Sequence, residues 1–465
     1  MQHTKKHLHF IGISGIGMSG LAKIMKQQGH IVSGCDNGID NKHIHELQNL
    51  GCAISSHHQS TICNDPTIDT TVYTSSVPST HPELEQARKN NISILHRSEL
   101  LAQLMSQQTS IAIAGSHGKT STTALISHIF LQANYNPTII IGGHSASIKS
   151  NAQYGTGDYL IAETDESDRS FLILPKKYGI VTNIDIEHLE TYKNFDDIKQ
   201  SFLQFINSTQ SNGMQILCID DKGVQSIISQ VHVPYITYGQ SLQADVQARN
   251  IQLNVDNSVF EIYQKSTDTT IGTVTLSQPG IHYVLNATGA VALALHLKIP
   301  FSTIQIALAT FNGVDRRFSF CGISTHHGAY IFNDYGHHPL EIHYALTIAR
   351  KKAKKNLVVV FQPHRFTRTK FLWNDFITVL SQDLIDTLII TDIFAASETP
   401  IETITSKRLV EEINQQYPHK KIIYCPFTTE MADIKLILDQ TLQKDDLLLL
   451  LGAGKVNKLE AKLIL

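Results

Sequence analysis

The stretch IAIAGSHGKTSTTALI, residues 111–126, constrains this chain more than any other. Small and β-branched residues (SIAIAG) read as a buried strand, and TSTTALISHIFLQAN reads as a helix with apolar positions near helical spacing. Between them a glycine turn carries Lys119 and Thr120. A strand that ends in a glycine turn and continues as a helix points backbone N–H groups and the positive helix end at one spot, which is an anion cradle. The usual phosphate loop reads GxxxxGK[ST]. Here Ile113 stands at the place of the first glycine, the glycine comes late at Gly115, and His117 occupies the shortened loop. Lys119 is expected to meet the β/γ-phosphates, and Thr120 to offer its hydroxyl to Mg²⁺.

Two more strand–turn–helix starts divide the chain. HLHFIGISGIGMSGLAKIMKQQGHIVSGCD opens with a strand at residues 7–11, a helix at about 17–28 stopped by Gly29, and a second strand ending at Cys35-Asp36. A third block begins near Phe311, with strands at YIFNDY, LVVVFQP, TLIITDI and LLLLLGAG separated by helical stretches. Alternation of strand and helix predicts α/β architecture with mostly parallel sheets. Three domains are expected, at residues 1–106, 107–310 and 311–465. Within the middle one, residues 211–277 carry short alternating runs such as SVFEIY and are read as an antiparallel patch, and NATGAVALALHL (286–297) as a buried small-residue helix.

Charge narrows the partners. The 38 basic and 41 acidic side chains give a net charge of −3, so there is no bulk reason to expect nucleic-acid or membrane binding. No apolar run approaches the ~18 residues of a membrane helix. Glycines interrupt the apolar part of the N-terminus, which argues against a secretory signal and for a cytoplasmic protein. The six cysteines (Cys35, Cys52, Cys63, Cys218, Cys321, Cys425) show no CxxC or tight zinc spacing and are read as reduced thiols. The histidine pairs 57–58, 326–327 and 337–338 are not metal sites by themselves, because neighbouring side chains point in different directions.

Candidate site residues follow the strands, where open parallel sheets place ligands. GISGIGMSG (Gly12 to Gly20) reads G-x-x-G-x-G, and Asp36 closes the next strand, where it can meet a sugar hydroxyl. Glu163 follows an apolar strand in IAETDESDRSFL, as a carboxylate for Mg²⁺, and His188 follows another in VTNIDIEHLETY. In NDYGHHPLEI and FQPHRFTRTK, Arg365 and Arg368 could converge on a carboxylate or phosphate. Arg316 and Arg317 sit where the second block meets the third.

The ordered set of GISGIGMSGLA, TSSVP, AETDESDRSFL, VTNIDIEHLETY, PGIHYVLNATGA, DYGHHP and QPHRFTRT, together with the short GSHGKTS loop, resembles the Mur ligases. These are ATP-dependent amide-forming enzymes of peptidoglycan precursor synthesis. The resemblance spans nearly the whole chain. It implies a Rossmann-like N-terminal domain for the UDP part of a sugar nucleotide, a central ATP-binding domain, and a Rossmann-like C-terminal domain that presents the amino acid. The sugar nucleotide is then expected at Gly12, Ser14, Gly15, Ile16, Gly17, Asp36, Ser75 and Ser76. ATP is expected at Gly115, Ser116, His117, Gly118, Lys119, Thr120, Ser121, Asn286, Arg317 and Asp334. The amino acid is expected at Tyr335, His337, Arg365 and Arg368. Thr120, Glu163 and His188 would serve the metal, and Lys119, Glu163, His188 and His337 the chemistry. Cys35, Asn333 and Leu340 depart from the family's pattern, where serine, aspartate and threonine are common.

Within that family the motifs point to ligation of L-alanine to the lactyl carboxylate of UDP-N-acetylmuramate, through an acyl phosphate, by a monomer or weak homodimer. A ligase that attaches a recycled tripeptide to the same sugar nucleotide is the alternative. A folylpolyglutamate-type ligase is disfavoured by the N-terminal glycine domain. A non-catalytic scaffold is disfavoured by Lys119, Thr120 and Glu163, and a dehydrogenase by the G-x-x-G-x-G spacing.

Overall fold

The computed structural model describes residues 4–38, 41–56 and 64–464. The His57-His58 pair and Cys63 lie outside the described residues. Three sheets follow one another along the chain. The first has five parallel strands, ordered Ala53–Ser55, Ile31–Cys35, His7–Ile11, Thr70–Tyr73, Ser93–His96. The second has ten strands, with Thr109–Ala114 between Tyr178–Val181 and Tyr159–Glu163, parallel to both. The third has six strands, all parallel except the edge strand Ser319–Ile323. The α/β reading with mostly parallel sheets therefore holds.

The core explains why these strands carry the residues they do. On Thr109–Ala114 the side chains alternate between faces. Ile111 and Ile113 pack with Ile126, Ile129 and Val291 of two helices, Lys119–Gln132 and Ile281–His296. Ala112 and Ala114 face the opposite layer, where Phe171, Phe202 and Phe205 take up the space that the alanines leave. Burying each isoleucine contributes roughly 1.5–3 kcal/mol. Leu447–Leu451 is the same logic without alternation. Leu447, Leu449 and Leu451 fill one layer and Leu448 and Leu450 the other, because a central parallel strand is covered on both faces.

Two expectations need correction. Residues 211–277 are not all antiparallel: Met214–Cys218 and Tyr235–Gly239 extend the parallel sheet, and only Val246–Leu253, Ser258–Gln264 and Thr269–Leu276 form the antiparallel patch. The small-residue helix begins at Ile281, five residues before Asn286. Among the described residues Cys52, Cys218, Cys321 and Cys425 form no disulfide, and no helix is long and apolar enough to cross a membrane.

Candidate functional site

The nucleotide loop is a turn that only glycine can make. Gly115 has φ +143° and Gly118 φ +80°. A Cβ on Gly115 would sit 1.9 Å from the Thr182 hydroxyl, and one on Gly118 2.6 Å from Asn286 Oδ1. Not all of the loop's N–H groups form the expected cradle. Ser116 N donates to Asn183 O (3.1 Å) and His117 N to Asn183 Oδ1 (2.7 Å). The N–H groups left to meet an anion are those at the N-terminus of helix Lys119–Gln132, where the first N–H groups have no intrahelical acceptor.

Around it stand the expected charges. Thr120 Oγ1 donates to Glu163 Oε1 (2.9 Å), and Glu163 Oε2 accepts from Gly142 N (2.6 Å). Burial raises the Glu163 pKa, against the nearby positive charge of Lys119. Lys119 Nζ is paired with Glu166 Oε1 at 2.6 Å and also donates to the carbonyls of Gly115 and Ser116. His188 Nε2 lies 3.7 Å from Glu166 Oε1 and from Glu187 Oε2, and its Nδ1 lies 3.4 Å from Glu190 Oε1. Burial opposes its protonation, but these carboxylates outweigh burial and lift it to about 9. Glu166 Oε2 and Glu187 Oε1 are buried without a hydrogen-bond partner. Glu166, Glu187 and His188 bring their ligating atoms within 4.8 Å of one another. A buried carboxylate oxygen without a hydrogen-bond partner, Glu166 Oε2, beside a second carboxylate and an imidazole suits a divalent cation such as Mg²⁺, and the Thr120–Glu163 pair is not part of that group.

A cavity lies between this loop and the third sheet's domain. It is lined by His117, Gly118, Ser121, Asn286, Arg317 and Asp334 among the expected residues, with His282, Tyr283, Glu341 and Tyr344 in addition. His282 and Tyr344 stack at 4.7 Å between centroids, across the two domains. Asp334 spends its carboxylate on the backbone, accepting from Phe318 N (2.7 Å) and Gly336 N (2.6 Å). Burial raises it to about 6, against Arg317.

The expected amino-acid end lies alongside. His337 Nδ1 donates to Tyr335 O (3.0 Å), which leaves a lone pair on Nε2 of the neutral ring. Burial, with Arg368 nearby, lowers its pKa to about 4. The Tyr335 ring faces Arg316 and Arg317, 4.8 and 5.5 Å from its centroid. Arg365 and Arg368 do not converge on one point. Arg365 Nη1 pairs with Glu190 Oε1 (2.7 Å), and Arg368 Nη2 lies 3.5 Å from Glu187 Oε1. Both reach the acidic loop of the middle domain, because Arg365 turns the chain at φ +69° as helix Phe366–Phe371 begins.

The N-terminal glycine turn borders a separate cleft. It is lined by Gly12, Ser14, Gly15, Ile16, Gly17, Asp36 and Ser76, with Arg97 in addition. Asp36 organises the turn, accepting from Ser14 N (2.9 Å) and Gly38 N (3.0 Å). Ser75 points elsewhere: its Oγ contacts His96 Nε2 (3.0 Å) and donates to Asp168. Arg97 pairs with Asp165 at 2.7 Å. Of the three departures, Cys35 is buried and donates to Glu83 Oε2, Asn333 donates to Glu460 away from the loop (2.7 Å), and Leu340 lines the cavity.

Sequence reasoning missed Arg97, His282, Tyr283, Glu187, Glu341 and Tyr344. His282 and Tyr283 lie inside the PGIHYVLNATGA motif, so closeness to Asn286 was an available signal. Arg97 and Tyr344 carry no local signal, because they join the site only through packing.

Family profiles match in sequence order: "Mur ligase family, catalytic domain" at residues 7–109, "Mur ligase middle domain" at 113–294, and "Mur ligase, glutamate ligase domain" at 316–454. The UDP-N-acetylmuramate–L-alanine ligase of Desulfotalea psychrophila is 41% identical, covering 98% of this chain and 97% of its own. That of Syntrophus aciditrophicus is 38% identical over 100% of this chain and 94% of its own. Among solved structures, the UDP-N-acetylmuramate–alanine ligase of Thermotoga maritima superposes with a TM-score of 0.83 at 25% identity, covering 99% and 98% of the two chains. A murein peptide ligase of Psychrobacter arcticus shares the fold, with a TM-score of 0.74 at 20% identity and 98% coverage of both chains. Spanned in order by these profiles and matched nearly end to end by such relatives, the chain belongs to the Mur ligase family.

Proposed function

We propose that this protein joins L-alanine to the lactyl carboxylate of UDP-N-acetylmuramate at the expense of ATP, in peptidoglycan precursor synthesis, as a monomer or weak homodimer of the cytoplasm. The observation that carries the reading is the junction of three parts. The Lys119–Thr120 helix start, the Glu163–Glu166–Glu187–His188 cluster and the His337–Arg365–Arg368 face meet along one seam. The N-terminal cleft, bordered by Gly12, Gly15, Gly17 and Asp36, would hold the UDP part. The domain limits proposed are 1–106, 107–310 and 311–465.

The chemistry follows from charge. A carboxylate reacts poorly with an amine because oxide would have to leave. Transfer of the γ-phosphoryl group gives an acyl phosphate, from which phosphate leaves. Lys119 exchanges Glu166 for the β/γ-phosphates and stabilises the charge spread over the transferring oxygens. Thr120, Glu163 and His188 would hold Mg²⁺, which when bound supplies further neutralisation of phosphate charge. The His282–Tyr344 stack and Asn286 line the space for the nucleoside. Arg365 and Arg368 border the amino-acid end, and to meet the carboxylate of the incoming amino acid each would exchange its protein partner, Glu190 or Glu187, for it. His337, neutral with a free Nε2, takes the proton released as the amine attacks. Closure of the third domain over the loop excludes water from the acyl phosphate.

The test is phosphate release from ATP in the presence of UDP-N-acetylmuramate, comparing L-alanine, glycine, L-serine and the tripeptide. Release stimulated most by L-alanine is expected. Stimulation only by the tripeptide would move the assignment to the recycling reaction, and no release with any amine would overturn the ligase reading.

A further inference from the structure

His117 occupies the middle of the nucleotide loop and borders the cavity, and both of its ring nitrogens lie beside carboxylates. Nε2 lies 3.1 Å from Asp185 Oδ2, in the middle domain. Nδ1 lies 3.5 Å from Glu341 Oε1, on the first turn of helix Pro339–Lys352 in the third domain. The ring packs on His338 with centroids 4.4 Å apart, and the residue is 8% exposed. A ring with a carboxylate at each nitrogen is satisfied only when both nitrogens carry hydrogen. Burial works against that charge, but Asp185 and Glu341 outweigh it and raise the pKa to about 10. His117 N–H is also committed, to Asn183 Oδ1.

Glu341 carries the contact onward. It caps its own helix, accepting at Oε2 from His337 N (3.1 Å) and His338 N (3.3 Å), and its Oε1 lies 3.7 Å from Arg317 Nη1. One carboxylate therefore touches the nucleotide loop, the backbone of the proposed proton acceptor and an arginine of the nucleotide cavity. A metal bridging His117, Asp185 and His338 is a poor alternative, although their ligating atoms lie within 4.8 Å. His338 Nδ1 accepts from Leu340 N (3.4 Å), so in the neutral ring Nε2 carries the hydrogen and offers no lone pair.

We infer that His117 is a positioning residue: its imidazolium ties the nucleotide loop to Glu341, and so sets His337 and the amino-acid face of the third domain over the site. Resting on the ligase reading above, this assigns the loop histidine to the second half-reaction rather than to phosphate binding. The shortened loop makes the tie possible, because a side chain at this position points across the seam while the helix start handles the anion.

The experiment uses the full-length protein with His117→Asn, Glu341→Gln and the double variant. Nucleotide affinity is measured by calorimetry with ATP and Mg²⁺, steady-state kinetics are run with L-alanine varied, and compactness is read by small-angle scattering. Breaking an ion pair that acts through the third domain should raise KM for L-alanine about tenfold or more in each single variant, with ATP affinity held within about threefold. The double variant should be no worse than the worse single, because both remove one contact, and the radius of gyration should exceed that of the parent. A tenfold loss of ATP affinity with KM for L-alanine unmoved would make the ring a phosphate ligand and overturn the assignment. Effects that multiply fully in the double variant, or singles that match the parent, would overturn it as well. If the unmodified protein releases no phosphate with any amine, the ligase reading fails by itself. Scattering then still decides the tie: expansion on His117→Asn supports it, and an unchanged radius overturns it.

Discussion

The first and second domains each begin with a strand, a glycine turn and a helix, and the two turns do different work. At Gly12 the turn needs only a positive φ (+78°): a Cβ there would meet nothing closer than 3.7 Å. At Gly115 and Gly118 the turn needs the conformation and also the missing volume, because Thr182 and Asn286 crowd the backbone. The N-terminal turn is held from below by one carboxylate, Asp36, and opens on a polar cleft with Arg97 across it. The central turn is surrounded by Lys119, Glu163, Glu166 and His188 and is covered by a second domain. Under the proposed function one local motif would serve as a grip in the first case and as a reaction centre in the second. What separates them is the set of charges that tertiary contacts bring to the helix start.

The largest test of that contrast is charge removal. Lys119→Met is expected to lower kcat by about 10³-fold, since the lysine acts on charge that develops in the transition state. Asp36→Asn in the other turn should raise KM for the sugar nucleotide about tenfold and leave kcat nearly intact. Steady-state kinetics on both variants measure the split, and a comparable kcat loss from Asp36→Asn would erase the distinction. A smaller effect is steric. Gly12→Ala should cost about 1–2 kcal/mol of stability from positive φ alone, read by denaturant melts, with ATP affinity unchanged. Gly118→Ala should carry the same strain and also displace Asn286, weakening ATP in calorimetry. Equal ATP affinities in the two variants would show that the crowding is immaterial.

The smallest effect is in pH. His337 and His282, neutral and half-buried, have pKa values lowered to about 4 and 3, by desolvation first and neighbouring arginines second. Below the ordinary value of 6.5 the unfolded chain takes up protons that the folded one refuses, so stability falls as pH drops from 6.5 towards 4. His117 and His188 run the other way. Their carboxylates hold them at about 10 and 9, so their contribution is complete below 6.5 and is lost as pH rises through 9 to 10. Both raised histidines belong to the central loop and its seam. Thermal melts with scattering across this range should show loss of compactness at alkaline pH in the parent, and less of it in His117→Asn.

Much of this was legible in one chain. The strands around residues 7–11 and 109–114, and their glycine turns, were readable because apolar period and turn chemistry are local. The direction of the strands in 211–277 was not, because alternation specifies a half-buried strand but not its neighbour. Lys119 and Thr120 were readable at a helix start and Glu163 at a strand end, and the structure brings them together. The partners of Arg365 and Arg368 were not. Glu190 and Glu187 lie on another domain, 175 residues away from Arg365 in the first case, and no spacing rule reaches that far.

The sequence by itself determined three α/β blocks, two glycine turns and the residue types that end their strands, because φ preference, side-chain alternation and helix starts act over a few residues. The tertiary structure alone decided which carboxylate each cation meets. It brought Arg97 to the N-terminal cleft and stacked His282 on Tyr344, and it turned the His117 ring towards Glu341. Those pairings depend on how separate sheets pack, and a charge in a low-dielectric seam takes its character from what lies within a few ångströms, whatever the distance along the chain.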